Sequence, residues 1–222
     1  MSDKKNPSAK ARPSPPSRAT YRHGDLARAL LEGGIALARA DGPDAVVLRE
    51  ATRRAGVAPN AVYRHFGSRA ELLQAVRNAA LSRLAQAMEK ELDAADASAG
   101  EFARLSLRAV GLGYLKFART EPGLFRTIFA APRPWPSEAD PAKAGASGLN
   151  PFQLLGVALD RLVEAGALSA ERRSGAEYLA WSTVHGLAML ILDGPLAEAP
   201  RTQLDDLCRR AVAMVERGLC RE

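Results

Sequence analysis

The chain has 222 residues, enough for one large domain or two small ones sharing a core. Its 43 alanines and 29 leucines far outnumber 11 valines and 3 isoleucines. Alanine and leucine lose little freedom in a helix whereas β-branched residues favour strands, so an all-α protein of about nine helices is expected. The net charge of +6 is unevenly placed: residues 1–19 carry +4, residues 20–78 carry +3 and residues 79–222 carry −1. A basic first third fits a polyanion-binding head on a body with another task, and equally a solvated basic tail on an ordinary domain. No apolar run approaches the ~18–20 residues needed to span a bilayer, and the N-terminus lacks the apolar segment of a secretory signal. A cytoplasmic location is expected. Cys208 and Cys220, if both lie on the last helix, are separated by roughly 18 Å, beyond the ~7 Å a disulfide tolerates between Cα atoms. His23, His65 and His185 are scattered, so no metal site is expected.

In chain order, residues 1–19 lack periodicity and contain four prolines, which predicts a disordered basic arm. A helical stripe from about Asp25 carries Leu26, Leu30, Leu31, Ile35, Leu37 and Ala38, and Asp41-Gly42-Pro43 stops it. A second, short helix runs from about Val47 to Ala55, followed by a break at Gly56-Val57. Pro59 is placed to open a third helix ending near Phe66. Ser68 and Glu71 have capping-box spacing and open a long helix reaching about Asp96. Further helices are expected over 101–119, a shorter one after Glu121-Pro122, then 151–166, 169–193 and 200–219. The proline-rich stretch 131–148 is expected as a mobile loop. The division predicted is an arm over 1–19, a head over 20–78 and a body over 79–222.

The segment Leu48–Phe66, LREATRRAGVAPNAVYRHF, has the layout of a helix-turn-helix: short helix, glycine-centred break, short helix. Close crossing demands a small residue four before the glycine, here Thr52, while Ala51, Ala55, Val57 and Val62 supply buried contacts. The run AGVAPNAVYRHFGSRAELLQAV is similar to the signature of TetR-family transcriptional regulators, and the three-helix head with its capped fourth helix covers residues 24–78. Trp181-Ser182-Thr183-Val184-His185-Gly186 and the run GYLKFARTEPGLFRTIF resemble the Trp-His-Gly subgroup of that family's C-terminal domains.

The resemblance implies a homodimer whose paired recognition helices, Pro59–Phe66 here, enter adjacent major grooves of an operator. By position, Pro59 opens the DNA-facing helix, and Tyr63 and His65 match sites that touch phosphates. Asn60 and Arg64 are the base-reading candidates, because Asn suits adenine and Arg suits guanine edges. Arg69 stands at the family's lysine site, where an exposed helix N-terminus favours phosphate. Arg49 is expected to face the backbone as well, whereas Arg53 and Arg54 are read as a solvated face. Three departures stand out: Val47 and Ala58 replace the usual Ser or Thr caps, each worth ~1 kcal/mol, and Thr52 replaces an alanine.

The body holds most of the aromatics, which in a helical bundle are core residues or pocket walls. Tyr178, Trp181, His185 and Met189 share one helical face. With Tyr114, Phe117 and Phe125 they form the candidate set for a small apolar or aromatic effector. Trp181 and His185 are equally placed for a subunit seam, where Gly186 permits close approach. A seam of the last two long helices would use Leu179, Leu187, Leu190, Leu204, Leu207, Val212 and Val215. Gly111-Leu-Gly113 resembles a fragment of a phosphate loop but lies in a helical pattern, and no H-E-x-x-H, G-x-S-x-G or P-loop occurs. No catalytic residue and no cofactor are expected. The function implied is a ligand-responsive repressor; a non-specific architectural DNA binder is the alternative, and an all-α enzyme a more distant one.

Overall fold

The computed structural model describes residues 23–57, 59–95, 99–130 and 140–220, apart from the side chains of 23–25, 59–61 and 99–100. The expected arm lies outside these residues, as does Trp135. Among the described residues there are nine α-helices, three 3-10 turns and no strand.

Helix α1 (His23–Asp41) ends where Gly42 adopts φ 78° and a 3-10 turn, Pro43–Ala45, begins. Helix α2 (Leu48–Ala55) crosses α1 so closely that a Cβ on Gly33 would lie 3.1 Å from the Ala51 carbonyl oxygen. Gly56 then takes the left-handed conformation, and a second 3-10 turn, Pro59–Arg64, follows. Helix α3 (Arg69–Asp93) opens on the predicted cap, with Ser68 Oγ accepting from Glu71 N–H at 3.2 Å. The reciprocal bond is shifted by one residue, because the Glu71 carboxylate accepts from Gly67 N–H at 2.9 Å.

Helix α4 (Ala99–Thr120) runs through the centre of the body and packs on α3. Gly113 makes that contact, since a Cβ there would lie 2.5 Å from Met88 Cα. Gly111 faces Val212 in the same way, so this glycine pair serves helix packing rather than phosphate binding. Helix α5 (Pro122–Phe129) lies between head and body and touches α1, α3 and α4. Helices α6 (Pro151–Glu164), α7 (Ala170–Arg173), α8 (Ala176–Leu192) and α9 (Arg201–Cys220) complete the bundle.

Two expectations change. The helix expected over 169–193 is broken, because Gly175 takes φ 76° between α7 and α8. Arg173 fixes that corner by bonding Asp160 at 2.7 Å and Glu177 at 2.6 Å. The loop expected to be mobile over 131–148 is tied down from residue 140 onward. Its 3-10 turn, Pro141–Lys143, is capped by Asp140, and Ser82 donates to the Ala144 carbonyl at 2.6 Å. Residues 131–139 lie outside the described residues.

Candidate nucleic-acid interface and effector cavity

The head is built around a tight turn. Gly56 N–H reaches back to Arg53 O and Val57 N–H to Thr52 O. Thr52 is buried, and its hydroxyl donates to Arg49 O at 2.7 Å, so the departure from alanine leaves no unpaired polar atom. The segment expected to face DNA is a 3-10 turn over Pro59–Arg64 rather than an α-helix reaching Phe66, although Phe66 N–H closes an α-type bond to Val62 O at 2.8 Å. Val62 anchors it in the core, and Phe66 is half-buried against the same cluster. Tyr63 and Arg64 project outward, Tyr63 at 62% exposure, while His65 is half-buried. The side chains of Pro59 and Asn60 lie outside the described residues. Arg49 is exposed on α2. Arg53 pairs with Glu50 at 2.6 Å and Arg54 with the same carboxylate at 3.7 Å, as a solvated face should.

Arg69, expected at a phosphate, is bonded within the chain in the absence of DNA. Its Nε donates to Val46 O at 2.8 Å and an Nη to Pro43 O at 2.9 Å. The guanidinium thus ties the start of α3 to the turn that precedes α2, whose Val47 supplies no side-chain cap.

In the body, an apolar cavity of about 30 Å³ lies between α3, α4, α6, α8 and α9. Met88, Tyr114, Phe152, Leu155, Trp181 and Val184 are among its walls, and among the described residues no charged side chain lines it. Trp181 Nε1–H donates to the Tyr114 oxygen at 3.1 Å, and that hydroxyl lies 2.8 Å from His185 Nδ1. The Tyr114 oxygen thus links Trp181 and His185 in one hydrogen-bonded chain. Burial lowers the His185 pKa below its ordinary value and raises that of the Tyr114 phenol, so both are neutral at neutral pH. Phe125 packs edge-on to Tyr114 at 5.4 Å between centroids, and Phe129 packs at a tilt against His185 at 4.6 Å.

Two family profiles match the chain. One, for bacterial regulatory proteins of the tetR family, matches residues 30–76, and a second, for a tetracyclin repressor-like C-terminal domain, matches residues 107–215. The chain belongs to the TetR family.

The fold agrees with this TetR assignment. The chain is similar to the structure of a protein with unknown function from Rhodococcus sp. RHA1, at 28% identity and a TM-score of 0.72, over 92% of this chain and 100% of that one. It also shares its fold with the TetR family transcriptional regulator PfmR from Thermus thermophilus, at 22% identity and a TM-score of 0.55, over 86% and 99% of the two chains. No curated protein matches the chain significantly. Among the described residues no helix is long and apolar enough to cross a membrane.

Within this TetR-family body, the candidate effector residues separate into four groups. Tyr114 and Trp181 line the cavity, and His185 and Phe125 form the layer behind them. Phe117 is buried in the core but outside the cavity wall. Tyr178 and Met189 are exposed on the rim of α8, with Tyr178 resting on Phe152. At 100° per residue, Tyr178 and Met189 lie about 60° and 80° around the helix from Trp181, enough to leave the core side. Of the expected seam residues, Leu187, Leu204 and Val212 are buried in their own subunit, Leu207 and Val215 are half-buried, and Leu179 and Leu190 are exposed.

Sequence reasoning missed Glu89 and Glu216, two buried carboxylates. Glu216, 1% exposed, binds Arg104 and Arg108 and joins α9 to α4. Burial pushes its pKa up, but the two guanidiniums prevail and hold it below the carboxylate range. The available signal was a charge on the otherwise apolar α9 stripe Cys208, Val212, Leu219.

Proposed function

We propose that the chain is a dimeric repressor that binds a palindromic operator through its first 78 residues and releases it when a small neutral molecule enters the body. The observation carrying this is the apolar cavity. One of its walls is Met88 on α3, the helix that begins at the Ser68 cap directly after the DNA-facing segment. An effector pressing on Met88 therefore acts on the element that sets the tilt of the head. A second route is available through Tyr114 and Phe125 to α5, where Gly123 is packed against the carbonyls of Ala38 and Arg39 at the end of α1.

Charge decides the effector class. Among the described residues the cavity lacks a charged wall, and its Tyr114 hydroxyl is already engaged by Trp181 and His185, so an ionised ligand would be buried without a partner of opposite charge. At about 30 Å³ the cavity is narrower than the ~150 Å³ void known to take benzene, so an effector must push the helices apart, and this provides the structural signal. Trp181, His185 and Gly186 support assignment of the body to the Trp-His-Gly subgroup.

In the head, Asn60 and Arg64 read bases, Tyr63, His65 and Arg49 contact the backbone, and Pro59 starts the inserted segment. The dimer seam uses the outward face of α8 and α9, where Leu179, Leu190 and Met214 are exposed and Gly186 faces open space. It sets the two heads about 34–36 Å apart, one turn of DNA. The division into arm 1–19, head 20–78 and body 79–222, and a cytoplasmic location, belong to the same proposal.

The test uses a Trp135→Phe variant, in which Trp181 is the sole indole. Uncharged aromatic compounds are titrated against its fluorescence with and without saturating operator DNA. Linkage requires DNA to weaken binding by the factor by which the compound weakens DNA. A compound that binds equally well in both conditions refutes the coupling.

A further inference from the structure

We infer that Glu89 is a latch that holds the effector cavity closed, a positioning role that rests on the effector reading proposed above. Glu89 is buried on α3, one residue beyond Met88 in the cavity wall. Its carboxylate accepts three hydrogen bonds from the loop before α6: from Ala146 N–H at 2.8 Å, Ser147 N–H at 2.9 Å and the Ser147 hydroxyl at 2.5 Å. The loop is moulded to this anion. A Cβ on Gly145 would lie 2.4 Å from both carboxylate oxygens, and Ser82, two turns earlier on α3, holds the Ala144 carbonyl. Gly145 N–H to Leu149 O at 2.9 Å closes the loop on itself, so it moves as a unit.

The start of α6, immediately after this loop, gives the latch its role. Asn150 is fully buried and caps α6, accepting from Phe152 and Gln153 N–H at 3.0 Å each. Pro151 and Phe152, the first turn of α6, are cavity wall. The bonds to Glu89 therefore fix the first turn of α6 relative to α3, the two sides between which a ligand must fit. Charge-assisted bonds to a buried carboxylate are strong and directional, so they hold the narrow form of the cavity. Once they are released, the first turn of α6 can swing away from Met88, widening the cavity and exposing Trp181.

The test needs no effector. In the full-length Trp135→Phe chain, acrylamide quenching reports access to Trp181, and hydrogen exchange reports on residues 144–155. Glu89→Ala removes the latch from the helix side, and Gly145→Ala pushes the loop off the carboxylate from the other side. Each should raise the quenching constant at least about twofold and speed exchange at Ala146 and Ser147 at least roughly tenfold, with α1 and α2 amides still protected. The double variant should go no further than either single one, because both break the same contact. If Glu89→Ala does not fold, Gly145→Ala carries the test, and Ser147→Ala should shift quenching less but in the same direction. Unchanged quenching in a folded Gly145→Ala, or additive effects in the double variant, overturns the latch. Failure of the effector reading looks different: the cavity opens, yet no neutral apolar compound binds.

Discussion

Replacing Gly123 by alanine should separate the head from the body. The new Cβ would lie 2.2 Å from the Ala38 carbonyl oxygen and 2.6 Å from that of Arg39. Both are backbone atoms, and Ala38 O already accepts from Gly42 N–H at 2.9 Å, so neither can turn aside cheaply. Ordinary non-bonded separation is ~3.5 Å, which means α5 must retreat by about 1 Å. That movement strains the Arg39–Glu121 bridge at 2.7 Å and the bond from Arg77 to Ile128 O at 2.7 Å. Overpacking of this kind costs about 1–3 kcal/mol, and the better helix propensity of alanine returns at most ~1 kcal/mol. A mid-range net loss of about 1–2 kcal/mol corresponds, for a chain of this size, to a fall in Tm of roughly 2–8 °C. Circular-dichroism melting at fixed protein concentration measures it, with Gly218→Ala as the control because a Cβ there meets nothing within 4 Å. The control should hold or gain stability. A Gly123→Ala protein that melts at or above the wild-type temperature would refute the α1–α5 contact as the junction between head and body.

Arg69→Ala should weaken binding to all DNA sequences alike while leaving the salt dependence almost unchanged, since the guanidinium holds the carbonyls of Pro43 and Val46. A change of ~0.9 in the slope of log K against log salt would assign it to a phosphate instead. Gly186→Ala, with nothing within 4 Å in the single chain, should leave subunit stability intact but weaken the dimer in sedimentation. Unaltered association would remove Gly186 from the seam. Burial lowers the His185 pKa in the folded state, so below about pH 6.5 the unfolded chain binds the extra proton. His185 should therefore subtract stability as pH falls through 6.5 toward its depressed folded value, and contribute nothing to the pH dependence above about pH 7.5. Chemical denaturation of wild type and His185→Gln across pH 5–8 checks the sign; a wild type that gains on the variant during acidification would contradict it.

The head was legible because its chemistry is local. Gly56 at the turn, Thr52 beneath it and Ser68 three residues before Glu71 each act on neighbours within a few residues. The break at Gly175 was hidden because the apolar period of α8 resumes immediately after it, and one glycine in a helical pattern is tolerated. Contacts between distant residues left no spacing to read. Glu89 meets Ser147 across 58 positions, and Glu216 meets Arg104 across 112. Arg69 reaches Val46 across 23, which a motif comparison aligned to a phosphate site cannot foresee. Periodicity placed Tyr178, Trp181, His185 and Met189 on one face, but the width of the buried stripe depends on how α4 and α6 flank α8. Tyr178 and Met189 consequently fall on its exposed margins.

Whether the head reads sequence as a symmetric pair is tested most directly by selecting bound duplexes from a random DNA pool with the purified full-length protein. A two-fold symmetric site whose half-sites lie one helical turn apart should be enriched, with preference relaxed at particular positions in Arg64→Ala. A pool that remains random while binding is strong and salt-dependent would contradict paired, sequence-specific reading, and would leave an architectural DNA binder in its place.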